Sequence, residues 1–272
     1  MQITKIEVQK KKQNRFNIYI NDEFAFGVDE ATLLKFSLTK GTELTQDTIR
    51  EIEQETQYQN VYQKALHFLN FKLRTAKEVY EKLEKLEVSD EVINQVLQQL
   101  MDHGFINDQF YAESYVRENF ALQKKGPKAV AFELKKKGVN DTIIQKALAE
   151  FDEVTQLDQA MEIAQKYVDR QGNAPVKTVK QKVYGFLMQR GYELDIVQSV
   201  ISELTFEKQE ENEEELVMKQ GERILKTLLS KYAFDDSQLW YQLKGKLYQK
   251  GFSSSAIDEA IEKLKWESEE WI

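Results

Sequence analysis

The hydrophobic positions in the last three-quarters of this chain follow a pattern that recurs four times. Each copy is a helix-like segment that reaches Glu87, Gly138, Gly191 or Gly251, so the period is about 50 to 60 residues. A stripe of apolar residues at positions i, i+3, i+4 and i+7 follows each copy, which is one face of an amphipathic helix. The chain is therefore predicted to use one supersecondary unit repeatedly.

The residues at the end of each copy explain how one helix stops and the next begins. Glycine can adopt the left-handed conformation that ends a helix. A polar residue then stands where the next helix needs an N-cap, at Ser89, Asn140 and Ser253. Glu87 replaces the glycine of the first copy, and Glu193 is a poorer cap in the third. We expect the helix end at Glu87 to be the least regular.

The length of the unit fits three helices of ordinary size. In the second copy we predict helices near 107–124, 127–137 and 140–151. Asn107 is the expected cap of the first, and Gly126-Pro127 opens the second, because proline is well tolerated at the first helical position. The acidic stretch Glu207–Glu215 is either a joint before the fourth copy or the start of a helix, since acidic residues favour helix N-termini.

The first 57 residues follow a different pattern. Apolar and polar residues alternate over 16–20 and 24–28, which predicts two strands, and Asn21-Asp22 between them suits a tight hairpin turn. A further strand is predicted near residues 3–8, before a basic loop at 10–15. Short helices are expected at 29–36 and after Thr45, which can act as a cap.

We thus predict a mostly α protein in which tandem three-helix repeats form an elongated, curved solenoid behind a small β-rich N-terminal domain. The predicted boundaries are 1–57 for that domain and 58–105, 106–152, 153–206 and 207–272 for the four repeats.

Composition narrows the class of protein. The chain has 272 residues, a formal net charge of −8 and no cysteine, which excludes structural disulfides and thiolate metal sites. Its acidic balance argues against a general nucleic-acid coat protein but permits a local basic patch. The polar N-terminus and the lack of a long apolar run predict a soluble cytoplasmic protein with no membrane partner.

The second repeat carries a motif that resembles a known family. The segment 104–117 reads GFINDQFYAESYVR, and Lys125-Gly126-Pro127-Lys128 and Glu133–Val139 follow it. Together with 65–69 and 74–79 in the first repeat, these segments look like the RecX family of bacterial recombination regulators. The resemblance covers essentially the whole chain, and the N-terminal extension and extra repeats are similar to those of long, Gram-positive-type members.

The resemblance implies a function that composition could not suggest. RecX-like proteins bind RecA filaments on single-stranded DNA and restrain strand exchange, ATP turnover and the SOS co-protease activity. They are modulators rather than enzymes, so the expected partner is the RecA filament, with weak direct DNA binding possible and the chain itself a monomer. Two other functions stay open: a helical-repeat adaptor that binds another protein, and an autonomous DNA-binding protein with helix-turn-helix-like units.

A lysine cluster in the second repeat is the strongest candidate contact. It could meet DNA phosphates or an acidic protein face, although lysines before Gly138 also complement the helix dipole and the remainder could be solvated. Tyr111 and Tyr115 could stack on bases if exposed, but core packing is the more common role of such residues. The candidate partner- or DNA-binding residues are Arg117, Lys124, Lys125, Lys128, Lys135, Lys136, Tyr111 and Tyr115.

Other basic positions are weaker candidates. Lysines and arginines recur near the ends of the other repeats and would form a discontinuous track if the repeats stack, and Lys10-Lys11-Lys12 lies in the N-terminal loop.

Catalytic chemistry is not predicted. His67 and His103 are the only histidines, and no GxxxxGK[ST] phosphate loop is present. We therefore expect no catalytic site, no metal site and no cofactor.

Overall fold

The computed structural model describes most of the chain. The described residues are 1–9, 12–123, 125–171, 174–231 and 236–269. They fall into two compact units: the first contains Met1–Ser114 and Leu134–Ile144, and the second contains Tyr115–Glu133 and Gln145–Ile272.

A three-stranded antiparallel sheet opens the first unit, in the order β1 (Ile3–Gln9), β2 (Lys12–Ile20), β3 (Glu23–Asp29). Asn21 and Asp22 both have positive φ, at 51° and 66°, as a two-residue hairpin turn requires. Both predicted hairpin strands and their turn are confirmed. Of the basic loop predicted at residues 10–15, residues 12–15 belong to β2, and Lys10 and Lys11 lie outside the described residues.

Two helices follow the sheet: α1 (Glu30–Lys35), capped by Asp29, and α2 (Gln46–Leu69), capped by Thr45. The predicted boundary between residues 57 and 58 falls inside α2, so the helix runs through it without a break. No glycine or proline interrupts residues 46–69, so nothing stops the helix. Its first half buries Ile52 against the sheet, and its second half buries Val61 and Ala65 in the first repeat.

The remaining helices follow the predicted repeat. The first repeat continues with α3 (Ala76–Leu83), a 3₁₀ turn at Glu84–Leu86 and α4 (Asp90–Asp102). The second contains α5 (Asp108–Ala121), α6 (Pro127–Lys136) and α7 (Asp141–Leu148). The third contains α8 (Glu153–Asp169), α9 (Val176–Arg190) and α10 (Leu194–Glu203). The fourth contains α11 (Glu207–Glu211), α12 (Glu213–Lys231), α13 (Asp236–Gln249) and α14 (Ser254–Glu269).

The mostly helical class, the three-helix repeats and the small N-terminal sheet are therefore confirmed. The acidic stretch 207–215 forms α11 and the first turn of α12, so it is a helix start. The division of the chain into domains at the predicted boundaries stays a prediction. Among the described helices, none combines the length and apolar character needed to cross a membrane.

The conformation of four glycines shows why the helices before them stop. Gly104, Gly138, Gly191 and Gly251 all have positive φ, from 74° to 92°. The predicted caps mostly form: Asn107 accepts a hydrogen bond from the Phe110 N–H at 2.9 Å. At Ser89 and Glu193, which occupy the expected N-cap positions, no side-chain cap bond forms.

A recurring contact joins consecutive repeats within each unit. In each contact, the backbone carbonyl that precedes a helix-ending glycine (Gly138, Gly191 or Gly251) accepts a hydrogen bond from a residue of the preceding repeat. In the first unit Thr75 Oγ1 donates to Lys137 O at 2.8 Å, and in the second unit Thr178 Oγ1 donates to Lys250 O at 2.9 Å. A Cβ on Gly191 would lie 2.4 Å from Ala129 N, so only glycine fits this approach.

Candidate interaction surface on the second repeat

The predicted lysine cluster lies around α6. Lys128, Lys135 and Lys136 project from α6 as exposed side chains, and Lys125 precedes it half-buried. Arg117 is exposed on α5. Lys124 lies outside the described residues. The structure thus shows how each of the remaining cations is occupied.

Lys125 belongs to a local network and is not a free cation. Its ammonium pairs with the Glu133 carboxylate, and the Tyr115 hydroxyl donates to the same carboxylate. All three side chains are half-buried in the second unit. The network links α6 to α5, so Lys125 and Tyr115 help to hold these two helices together.

Lys128 and Lys135 form exposed ion pairs. Lys128 Nζ lies 2.6 Å from Glu193 Oε2, and Lys135 Nζ lies 3.0 Å from Asp141 Oδ2. The side chains of both pairs are more than half exposed, and such pairs contribute about 0–1 kcal/mol each. An incoming phosphate or carboxylate can therefore compete for these two lysines at little cost.

Arg117 and Lys136 are the cations that remain available. Both are exposed, and within the described ranges neither has an ion pair or side-chain hydrogen bond. They differ from Lys125, whose charge is already neutralised.

Phe132 is an exposed residue of α6 that is not among the predicted site residues. It is 70% exposed and lies four residues after Lys128 and three before Lys135, so these three side chains share one face of α6. A large exposed aromatic with cations on both sides is typical of a recognition surface, where aromatic side chains supply most of the contact energy. The signal in the sequence was its position opposite the buried Val130 and Leu134.

Tyr111 belongs to a different network, in the first unit. Lys137 Nζ lies 5.7 Å from the centre of its ring and 2.8 Å from Glu78 Oε1. Tyr111 is half-buried, so its ring is partly covered by this contact. Tyr111 and Tyr115, the two predicted stacking candidates, therefore lie in separate polar networks, and their role in stacking stays a prediction.

The Lys137–Glu78 pair perturbs the titration of both groups. Burial alone would raise the pKa of Glu78, but hydrogen bonds from Lys137 and the Thr75 N–H and the charges of Lys137 and Arg74 together lower it. The hydrogen bond to Glu78 raises the pKa of Lys137. Beside them, burial raises the pKa of Asp108, whose carboxylate accepts a hydrogen bond from the Ala76 N–H at 2.9 Å. These groups hold the first repeat to the start of the second.

The two histidines each contact an aromatic side chain. His67 and His103 are exposed and each meets a phenylalanine edge-on, Phe71 and Phe105 respectively. His103 Nδ1 is also 3.2 Å from the Tyr62 hydroxyl. In the described ranges, no group of three or more histidine and acidic side chains is arranged to hold a metal ion.

Models of known protein families match the N-terminal domain and the first three repeats. The model of the regulatory protein RecX N-terminal domain matches residues 1–45. The models of the first, second and third RecX three-helix domains match residues 62–100, 107–148 and 155–201.

Full-length relatives agree with these matches. The chain is 33% identical to Regulatory protein RecX of Bacillus licheniformis over 96% of this chain and 98% of that protein. It is also 33% identical to Regulatory protein RecX of Bacillus subtilis over 97% of this chain and 99% of that protein.

Solved structures show the same similarity. A crystal structure of regulatory protein RecX is 33% identical, with a TM-score of 0.66, and the match covers 74% of this chain and 99% of that one. The crystal structure of RecX from Lactobacillus salivarius is 34% identical, with a TM-score of 0.52 over 54% of this chain and 96% of that one.

Proposed function

This chain belongs to the RecX family of regulatory proteins, and we propose that it restrains the RecA recombinase by binding RecA filaments on single-stranded DNA. The observation that carries the proposal is the similarity over nearly the full chain to proteins named as RecX regulators. In this proposal the chain binds and modulates, and it performs no catalysis of its own.

In this proposal the main contact is made by exposed residues of α6 together with Arg117 of α5. Arg117 and Lys136 offer unpaired positive charge, and Phe132 offers an exposed apolar anchor. Lys128 and Lys135 can join them by exchanging their exposed carboxylate partners for groups on the filament. Lys124, Lys125, Tyr111 and Tyr115 stay predicted members of this contact; Lys124 lies outside the described residues, and the other three are half-buried.

The charges on this face support rapid association with a negatively charged filament. The protein as a whole carries a formal charge of −8, so a local positive face selects one orientation of approach. Attraction of this kind raises the association rate and is screened by salt. A bound modulator restrains strand exchange and ATP turnover by stabilising one state of the filament over the other, because it can shift that equilibrium only by its differential affinity.

The test is a strand-exchange assay with RecA from the same bacterium. The triple variant Arg117→Gln/Phe132→Ala/Lys136→Gln should require about tenfold more protein for half-maximal inhibition, because two weak charge contacts and one anchor together contribute about 1.4 kcal/mol or more. Its circular dichroism spectrum should match that of the parent.

A matched control removes the same residue types elsewhere. Arg50→Gln/Phe24→Ala/Lys40→Gln changes an exposed arginine, phenylalanine and lysine in the N-terminal domain. It should inhibit within about twofold of the parent if the contact is on α6. Equal loss in both variants would place the contact elsewhere.

The same preparations separate the alternatives. A parent protein that leaves strand exchange unchanged and binds neither filament nor DNA would favour the adaptor. Tight binding to bare DNA with a steep salt dependence, without any preference for the filament, would favour an autonomous DNA-binding protein.

A further inference from the structure

Two glycines in the second unit occupy the same position in consecutive repeats. Gly185 lies in the interior of α9 and Gly245 in the interior of α13, each nearly two turns before the glycine that ends its helix. Glycine destabilises a helix interior relative to alanine. A Cβ at either position would meet nothing within 4 Å. No contact among the described residues therefore requires glycine there.

Exposed aromatic side chains flank Gly245 on α13. Tyr241 and Tyr248 are 77% and 55% exposed and stand on one face of the helix, on either side of Gly245. Seven residues of helix separate their Cα atoms by about 10 Å, and glycine leaves the helix surface between them open. The rings of Tyr241 and Tyr248 therefore stand on either side of an open stretch of helix surface.

The corresponding face of α9 continues this surface. Lys177, Gln181, Tyr184 and Met188 share one exposed face of α9 at helical spacing. Lys177 Nζ lies 4.7 Å from the centre of the Tyr248 ring, so the face that begins at Lys177 meets the face that ends at Tyr248. The hydrogen bond from Thr178 to Lys250 O fixes this junction.

The charge of both segments is one-sided. Residues 174–192 contain Lys177, Lys180, Lys182 and Arg190, and residues 237–257 contain Lys244, Lys246 and Lys250, with no aspartate or glutamate in either segment. Lys244 pairs with Asp258, but no carboxylate in the described ranges pairs with Lys177, Lys180 or Lys182. In a protein of net charge −8, this face is matched to a polyanion.

From these features we infer that α9 and α13 form a binding surface for a single-stranded nucleic acid. Unpaired bases stack on the tyrosine rings, and phosphates lie near the lysines. Gly185 and Gly245 allow the strand to approach the helix surface closely. An acidic protein segment shares the charge requirement but has no flat bases to stack on two separated rings. The surface lies on other helices than the proposed filament contact and requires no recombinase.

The test measures fluorescence anisotropy of a labelled oligothymidylate of about 20 nucleotides with the full chain and no RecA. Tyr241→Ala/Tyr248→Ala should lower affinity about tenfold, and Tyr241→Phe/Tyr248→Phe should retain it because the rings remain. Phe24→Ala, an equally exposed aromatic on the sheet, should bind as the parent does. Lys177→Gln/Lys182→Gln should reduce the salt dependence of binding.

Replacing the two glycines should change thermal stability and oligonucleotide affinity in opposite directions. Gly185→Ala/Gly245→Ala should raise the melting temperature, because alanine favours the helix, and should at the same time weaken oligonucleotide binding several-fold. A merely structural role would change both in the same direction. Weaker binding by a more stable protein cannot be explained by unfolding.

Three results would overturn the inference. One is a parent chain that does not bind the oligonucleotide at low salt. Another is full retention of binding after Tyr241→Ala/Tyr248→Ala. The third is equal competition by polyglutamate and by unlabelled oligothymidylate, since that would show a general site for acidic chains.

Discussion

At the scale of single residues, the balance between Lys137, Glu78 and Asp108 links stability to pH. The folded state lowers the pKa of Glu78 below its ordinary value of 4.5. The ionised pair therefore contributes its full stability above that value, and the contribution is lost as pH falls through the lower folded-state pKa. Asp108 has the opposite sign: its pKa is raised, so its ionisation on raising pH costs stability.

We predict that Lys137→Met destabilises the protein by about 1–2 kcal/mol at neutral pH, because Glu78 loses a partly buried, charge-assisted hydrogen bond. The difference from the parent should shrink as pH falls through the lowered folded-state pKa of Glu78, because the carboxylate is then protonated and the ion pair is lost. Urea unfolding at several pH values measures it.

Lys135→Met is the matched control. It breaks an exposed ion pair with Asp141, and its effect should stay below about 0.5 kcal/mol at every pH. A Lys137→Met penalty that is the same in acid as at neutral pH would mean that lost packing, and not the ion pair, is responsible.

Residue-level features differed in how far the sequence could predict them. The hairpin turn at Asn21-Asp22 and the cap at Asn107 depend on neighbours in sequence, and both were predictable. The partners of the lysines were not, because Glu193 and Glu78 come from other repeats. Sequence gives the charge of a cluster, but the fold decides which charges are neutralised.

At the scale of elements, the helix-ending glycines Gly138, Gly191 and Gly251 serve two purposes. They end a helix with positive φ, and they let the preceding repeat approach without a side chain between. Gly138 would place a Cβ 2.6 Å from Lys77 Cβ, and Gly251 would place one 2.6 Å from Thr178 Oγ1. Glu87 has the same backbone, with φ at 55°, but it is exposed and no repeat precedes it. This explains why the first copy tolerates glutamate.

We predict that Gly191→Ala destabilises the protein by about 2 kcal/mol or more, because a Cβ would meet the Ala129 backbone and φ is positive. Glu87→Gly should instead be neutral or stabilise by up to about 1 kcal/mol, since it relieves a left-handed residue and removes no contact. Thermal unfolding of both variants provides the comparison. Similar losses at the two positions would show that φ alone sets the requirement for glycine.

Helix α2 shows what the hydrophobic pattern alone cannot predict about an element, namely where it ends. The hydrophobic pattern changes from period 2 to helical spacing near residue 46. The domain boundary predicted between residues 57 and 58 lies where the repeat pattern starts. No capping or breaking residue lies between, so the helix continues and supplies Ile52 to one core and Val61 to another. The period of a pattern identifies an element, but only caps and breakers show where it ends.

At the scale of the whole molecule, stability is divided among separate cores. The sheet, the first repeat, the third repeat and the fourth repeat each bury their own apolar cluster. In repeat proteins, stability is approximately a sum of unit terms and nearest-neighbour terms. Unfolding should therefore not follow a single two-state transition.

The fourth repeat offers a direct test of this division. Leu243 is fully buried in its core, and Leu243→Ala should cost about 2–5 kcal/mol locally through the cavity it leaves. Amide hydrogen exchange should then accelerate over α12, α13 and α14, with a smaller effect in α9, to which the fourth repeat is joined through Thr178 and Lys250. The sheet core around Ile18 and Val28 should keep the parent's protection. Acceleration of exchange in the sheet by the same free energy would show one cooperative unit, because only global unfolding exposes distant cores equally.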